Sequence, residues 1–133
     1  MSYPIGDMLV RIKNAQAVKH EQVSVPFSGP KFKIASILQE NGFISGVERK
    51  KEKAVKAEHE YIEITLKYED GQGAISGFKV ISRPSRHLYV KSSEIKPVRS
   101  GYGIAVISTP KGMMSSKEAM KNKIGGEMLF EVW

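Results

Sequence analysis

The segment RSGYGIAVISTPKGMMSSKEAMKNKIGGEMLFEVW, residues 99–133, decides how this chain is read. Gly103 to Ile107 is almost entirely apolar, so it reads as a short strand covered on both faces, with glycines bounding its start. It runs straight into a hydroxyl- and glycine-rich loop that carries cations and no carboxylate. There Ser108, Thr109, Lys111, Gly112, Ser115 and Ser116 offer hydroxyls, an ammonium and backbone amides within nine positions. Such groups are partners for phosphates and base edges. Ser115 stands three residues before Glu118, the spacing of a capping box, so a short helix is predicted to begin there. Met120 and Ile124 give that helix an apolar side, Lys117 and Lys121 a solvated one, and Gly125 or Gly126 its left-handed stop. Glu127 to Trp133 then resumes as a strand.

A plainer meaning of the loop is turn chemistry, which Ser-Thr-Pro-Lys-Gly also satisfies. A nucleotide-cradling loop is disfavoured, because that pattern needs Gly-Lys-Ser/Thr at the helix start and this chain has Gly112-Met113-Met114. The Gly101-Tyr102-Gly103 pair does not make a dinucleotide fingerprint either. Val106 occupies the place of the third glycine, and the glycines precede the strand instead of following it.

Composition narrows the class of partner. The 133 residues carry a formal net charge of +7, distributed unevenly. Residues 1–70 hold 11 Lys+Arg against 10 Asp+Glu, whereas residues 71–133 hold 10 against 4. Anion-seeking surface therefore belongs mainly to the second half, which favours a polyanion, nucleic acid before membrane. The alternative is a basic solvated face that serves only solubility. The absence of cysteine removes disulfides, thiolate metal sites and a cysteine nucleophile together. No apolar run approaches the roughly 20 residues needed to span a bilayer, and MSYPIGDML lacks the features of a secretion signal. A cytoplasmic protein is expected.

Toward the N-terminus, Ile5, Met8, Leu9, Ile12 and Ala15 recur at helical spacing within Tyr3 to Lys19, with Arg11, Lys13 and Asn14 on the outward side. Gln22 to Pro26 reads as a strand, and Pro30 to Asn41 as a second helix with Phe32, Ala35 and Leu38 inward, ended by Gly42. Phe43 to Arg49 and Glu60 to Tyr68 read as strands, the latter alternating Ile62, Ile64 and Leu66 with polar residues. Between them the charge-dense Lys50 to Glu58 is expected to project as a mobile hairpin tip or loop. Glu69 to Gly73 is a turn, and Ala74 to Ile81 is expected to close an antiparallel pair with the strand before it. Ser82-Arg83-Pro84-Ser85 interrupts the periodicity where the charge balance changes, which sets an expected boundary between residues 1–81 and 82–133. Beyond it come a strand at Leu88 to Val90 and a helical turn at Ser93 to Lys96. The expected fold class is α+β in two small lobes. The N-terminal α/β lobe sets two helices on a short mixed three-stranded sheet; the C-terminal lobe is mostly antiparallel β with one short helix.

Five segments together carry a family resemblance: Asp7 to Asn14 (DMLVRIKN), Ser82 to Tyr89 (SRPSRHLY), Gly101 to Thr109 (GYGIAVIST), Lys111 to Ser115 (KGMMS) and Gly125 to Glu127 (GGE). In their order and spacing the chain resembles the bacterial-type small-subunit ribosomal protein S-eight family over practically its whole length. The resemblance implies a primary rRNA-binding protein, a monomer when free. It would grip an irregular helix in the central domain of small-subunit rRNA and nucleate assembly beside neighbouring ribosomal proteins. It also implies a second role, repression of translation from the protein's own operon mRNA. Neither a catalytic activity nor a cofactor is implied.

By position, the resemblance marks Ser108, Thr109, Lys111, Gly112 and Ser115 as the RNA-reading loop, with Gly125, Gly126 and Glu127 lying against it. Short hydroxyl side chains on a rigid strand end suit A-form RNA, which hides its base edges and must be recognised by distorted backbone, 2′-hydroxyls or extruded bases. Lys111 adds charge and no sequence information. Glu127 either accepts from a base or sugar hydroxyl or fastens the loop's amides. Tyr89 is a stacking candidate or half-buried packing, and Arg86, Arg11 and Asn14 are candidate backbone contacts. The chain departs from the family pattern at His87, where arginine is usual, at Pro110, and at Ser115, where threonine is frequent. Two other function classes compete: a basic protein-interaction module and a small phosphate-binding hydrolase. His20, His59 and His87 are scattered and lack a nearby partner in sequence, and no histidine or carboxylate spacing suggests zinc or calcium.

Overall fold

The computed structural model describes residues 4–53 and 58–133, which divide into two compact units, Met1–Ile75 and Ser76–Trp133. In the first unit, α1 (Pro4–Ala17) buries Met8, Leu9, Ile12 and Ala15, the stripe marked by the helical spacing. Strand β1 (Gln22–Pro26) leads to α2 (Gly29–Glu40), whose N-cap Ser28 accepts the Lys31 amide at 3.3 Å. The helix ends at Asn41, followed by Gly42 at φ +82, where a left-handed turn favours glycine. Strands β2 (Ile44–Lys53) and β3 (Glu58–Leu66) complete a three-stranded sheet of order β1-β3-β2.

Both ladders of this sheet are antiparallel, so the expectation of a mixed sheet is corrected. The hairpin ladder also runs out to Lys53↔Glu58. Lys50 to Lys53 are therefore paired strand and not loop, while residues 54–57 of the charge-dense excursion lie outside the described residues. Alternation along β3 buries Ile62, Ile64 and Leu66 beneath the helices. Register places Arg49, Lys51 and Glu60 on that same face, and Glu48, Lys50 and Glu63 on the other. Arg49 bonds Glu60 at 2.6 Å and lies 4.0 Å over the Phe27 ring; Lys50 holds both Glu63 oxygens at 3.0 Å. A two-residue hairpin, β4 (Tyr68–Glu69) with β5 (Gln72–Gly73), turns at Asp70 and Gly71.

In the second unit, β6 (Phe78–Val80) pairs with β10 (Gly126–Val132), which corrects its expected pairing with the strand at residues 60–68. Residues 76–81 accordingly pack with the C-terminal unit, six residues before the boundary expected at Ser82. The proline-containing segment is real punctuation, but it lies inside the unit: Ser82 Oγ donates to the Met128 carbonyl at 2.6 Å and accepts the Leu88 amide at 3.0 Å. Strand β7 (Tyr89–Val90) pairs with the start of β10. Then come short 3-10 turns at Ser92–Glu94 and Arg99–Gly101, β8 (Ile104–Thr109), β9 (Gly112–Ser115) and α3 (Ser116–Lys121). The sheet order is β6-β10-β8-β9, with β7 also on β10.

Strand β8 is buried along almost its whole length. One of its faces carries Ala105 and Ile107 into a cluster with Ile95, Val98, Met114 and Ala119 of α3, flanked by Val90, Ile124 and Met128. Phe130, fully buried, anchors β10. A register shift between Met128 and Phe130 breaks the β10·β8 ladder just before the end of the sheet where Glu127 stands opposite Ser108.

Candidate nucleic-acid interface

Register brings four strands to one row at the end of the second sheet. Tyr89 of β7 stands opposite Glu127 of β10, Glu127 opposite Ser108 of β8, and Ser108 opposite Met113 of β9. Directly opposed residues in antiparallel ladders point to the same side, about 5 Å apart. Period-two alternation assigns that side: Val90, Ile107 and Met128 turn toward α3, so Tyr89, Ser108 and Glu127 turn the other way. The sheet thus presents an aromatic ring, a carboxylate and a hydroxyl in line, and Tyr89 is 69% exposed.

The stretch expected to be a loop is a tight hairpin, β8 turning into β9 through Pro110 and Lys111. That changes the status of its hydroxyls. Thr109 is buried, and its Oγ1 donates to the Gly112 carbonyl at 2.6 Å and accepts the Lys111 amide at 3.1 Å. It ties the turn. Ser115 is also buried, and its Oγ caps α3 by accepting the Glu118 amide at 3.2 Å, which is the serine half of the capping box. The Ser116 hydroxyl accepts the Ala105 amide at 3.0 Å. Among the described residues only Ser108, of these four hydroxyls, makes no internal hydrogen bond, and Lys111 is exposed without an ion-pair partner.

Gly125 and Gly126 do not supply the left-handed helix stop; Asn122 caps α3 and Lys123 takes the positive φ of 53. The two glycines instead allow close approach. A Cβ on Gly126 would overlap the Ser108 carbonyl, and one on Gly125 the Val90 carbonyl. Their absence of side chains is what lets β10 start wedged between β7 and β8.

Glu127 does not fasten the hairpin's amides. Its Oε2 lies 2.5 Å from His87 Nδ1, so it binds the ring that precedes Tyr89 by two residues on the same side. With the Ser82 hydroxyl, this pair pins residues 82–88 along β10. Neither interaction is marked by spacing in the sequence, where His87 stands as a departure from the family pattern and as one of three scattered histidines. Arg86 is exposed within the same segment.

Arg11 and Asn14 belong to the other unit, on the outer side of α1. Arg11 Nη1 donates to the Ser24 carbonyl at 3.0 Å, tying α1 to β1, and Asn14 is exposed. Clefts of about 210 and 450 Å³ on this unit both include Arg11, the second also Glu52, His59 and Glu60, whose mixed charge suits no single ligand. Among the described residues no group of three or more His, Asp or Glu could hold a metal ion, and no helix is long and apolar enough to cross a membrane.

Comparison with known proteins gives the same direction. The family model described as Ribosomal protein S8 matches residues 3–133. The chain is similar to the small ribosomal subunit protein uS8 of Mycoplasmopsis pulmonis, 47% identical over 130 residues, covering 98% of this chain and 96% of the relative. It is 45% identical to the uS8 protein of Clostridioides difficile over 134 residues, covering 100% and 98%, and 42% identical to that of Syntrophus aciditrophicus over the same length, again covering 100% and 98%. Matched from near its first residue to its last, this chain belongs to the ribosomal protein S8 family.

Proposed function

We propose that the chain is a structural, primary RNA-binding protein of the small ribosomal subunit, acting in the cytoplasm as part of the ribosome and holding an irregular helix in the central domain of the rRNA. It is not an enzyme. The observation that carries this reading is the Tyr89–Glu127–Ser108 row, set on a stiff sheet end in the half of the chain that holds 10 Lys+Arg against 4 Asp+Glu. Ser108 offers a free hydroxyl to a 2′-hydroxyl or base edge, Tyr89 an exposed ring to an unstacked base or sugar, and Lys111 a charge to the backbone. Glu127 holds His87 and stands where a base amino group or sugar hydroxyl would arrive. Thr109, Ser115, Gly112, Gly125 and Gly126 act one step back, by fixing the hairpin, the helix start and the approach of the strands. Family membership supports assignment to the small subunit, where rRNA and neighbouring ribosomal proteins are the partners.

The test is titration of the purified chain with fragments tiled along the central domain of small-subunit rRNA at several salt concentrations. One fragment is expected to bind well above the others, with log affinity falling linearly with log salt by roughly 0.7–0.9 per phosphate neutralised. Lys111→Ala should flatten that slope by about one phosphate and weaken all RNAs alike. Equal, salt-insensitive binding of every fragment would refute the reading.

A further inference from the structure

Beside the row just described, on the same edge of β10, a cleft of about 420 Å³ opens between β6 and the segment after it. Its charged lining is Lys79, Arg83 and Arg86, and its apolar lining Val80, Ile81 and Leu88. Arg83 and Arg86 face each other across a tight turn at Pro84 and Ser85, exchanging both backbone hydrogen bonds at 2.8 and 2.9 Å. Opposed residues of such a pair share a side, and like charges placed so are destabilising on their own. None of the three cations is in an ion pair among the described residues. Ser82 holds the turn from one end, through its hydrogen bonds to Met128 and Leu88, so the backbone that carries Arg83 and Arg86 is set before any ligand arrives. Leu88, 41% exposed, adds an unusual apolar surface to a site that otherwise attracts anions.

We propose that this cleft is a second RNA subsite that accepts one unstacked nucleotide of the bound rRNA. The guanidinium groups of Arg83 and Arg86, with the Lys79 ammonium, take its phosphate, and Leu88 with Val80 and Ile81 takes the face of its ribose or base. The volume lies within the range of small-ligand pockets, and the pairing of three cations with an apolar wall matches a nucleotide better than a bare anion. The proposal rests on the RNA-binding reading above and extends the contact from the Ser108 row to Lys79 and Arg83.

The experiment uses the full chain and the rRNA fragment that it binds best. Affinity against salt and a hydroxyl-radical footprint are measured for the parent, Lys79→Ala, Arg83→Ala, the double variant, Arg83→Glu and Leu88→Ala. The double variant is expected to lower the magnitude of the salt slope by roughly 0.7–0.9, the share of one phosphate contact, and to lose protection at one nucleotide. Arg83→Glu should lose more affinity than Arg83→Ala, and Leu88→Ala should weaken binding without moving the slope. Parent-like slope and footprint in the double variant, while Lys111→Ala still flattens the slope, would overturn the subsite and leave the RNA reading standing. If the parent binds no rRNA fragment, both fall. Capture of an Asp/Glu-rich peptide by the parent and not by the double variant, with rRNA affinity unmoved, would assign the cleft to a protein partner and overturn the proposal.

Discussion

Ser108 and Thr109 are adjacent hydroxyls at the end of one strand, and the structure gives them opposite jobs. Thr109 Oγ1 makes two hydrogen bonds, to the Gly112 carbonyl at 2.6 Å and from the Lys111 amide at 3.1 Å. Thr109→Val keeps the shape and deletes both. At about 0.5–1.5 kcal/mol net per hydrogen bond, the variant should lose about 1–3 kcal/mol of stability. For a chain of this size about 4 °C per kcal/mol applies, so the melting temperature should fall by about 4–12 °C. Ser108 has no internal hydrogen bond, so Ser108→Ala should stay within about 0.5 kcal/mol of the parent. Its cost should instead appear in RNA binding, as the loss of one hydrogen bond, about 2- to 13-fold in affinity. Urea titration followed by circular dichroism measures the first quantity and filter binding to the cognate rRNA fragment the second. Thr109→Val at parental stability, or Ser108→Ala destabilised by more than about 1 kcal/mol with RNA affinity intact, would refute this division.

Three further outcomes are expected. Gly126→Ala forces a Cβ onto the Ser108 carbonyl and should cost about 1–3 kcal/mol in urea titration while also weakening rRNA binding, because it splays the row proposed to meet RNA. Ser115→Ala removes the cap of α3 and should cost about 1 kcal/mol, with no change in the salt slope of RNA binding. In the first unit, the hydrogen bond from Arg49, with the charges of Arg49 and Lys51, holds the Glu60 carboxyl below its ordinary 4.5. A depressed carboxyl stabilises above its unfolded value and loses that contribution as pH falls through the folded one. Carboxyl NMR titration should therefore show Glu60 moving back up in Arg49→Ala; an unchanged midpoint would remove Arg49 as the cause.

Much of the fold was legible because hydrophobic periodicity reports burial directly. The α1 stripe Met8, Leu9, Ile12 and Ala15, the bounds Gln22–Pro26 and the alternation Ile62, Ile64, Leu66 all follow from it. Partner choice was not legible. Phe78–Val80 has the composition of a strand but nothing local says that its ladder lies with residues 130–132 instead of the preceding strand. The antiparallel β1·β3 pairing is hidden for the same reason, since the helix α2 and the strand β2 separate the two strands in sequence. At the site, residue types were legible and duties were not. Ser108, Thr109, Ser115 and Ser116 look alike as letters, yet only the register and the turn geometry separate the free hydroxyl from the three that hold backbone. Gly125 and Gly126 likewise read as a helix stop, whereas Lys123 takes the positive φ and the glycines serve strand approach.

The most direct test of the proposed interface is isotope-edited NMR of the full chain titrated with the cognate rRNA fragment, following each amide. Tyr89, Ser108, Lys111, Gly126 and Glu127 should shift first and saturate together, with the amides buried around Ile107 and Ala119 moving little. If those five stay in place at saturation while amides elsewhere in the chain move, the strand-end row is not the surface that meets RNA.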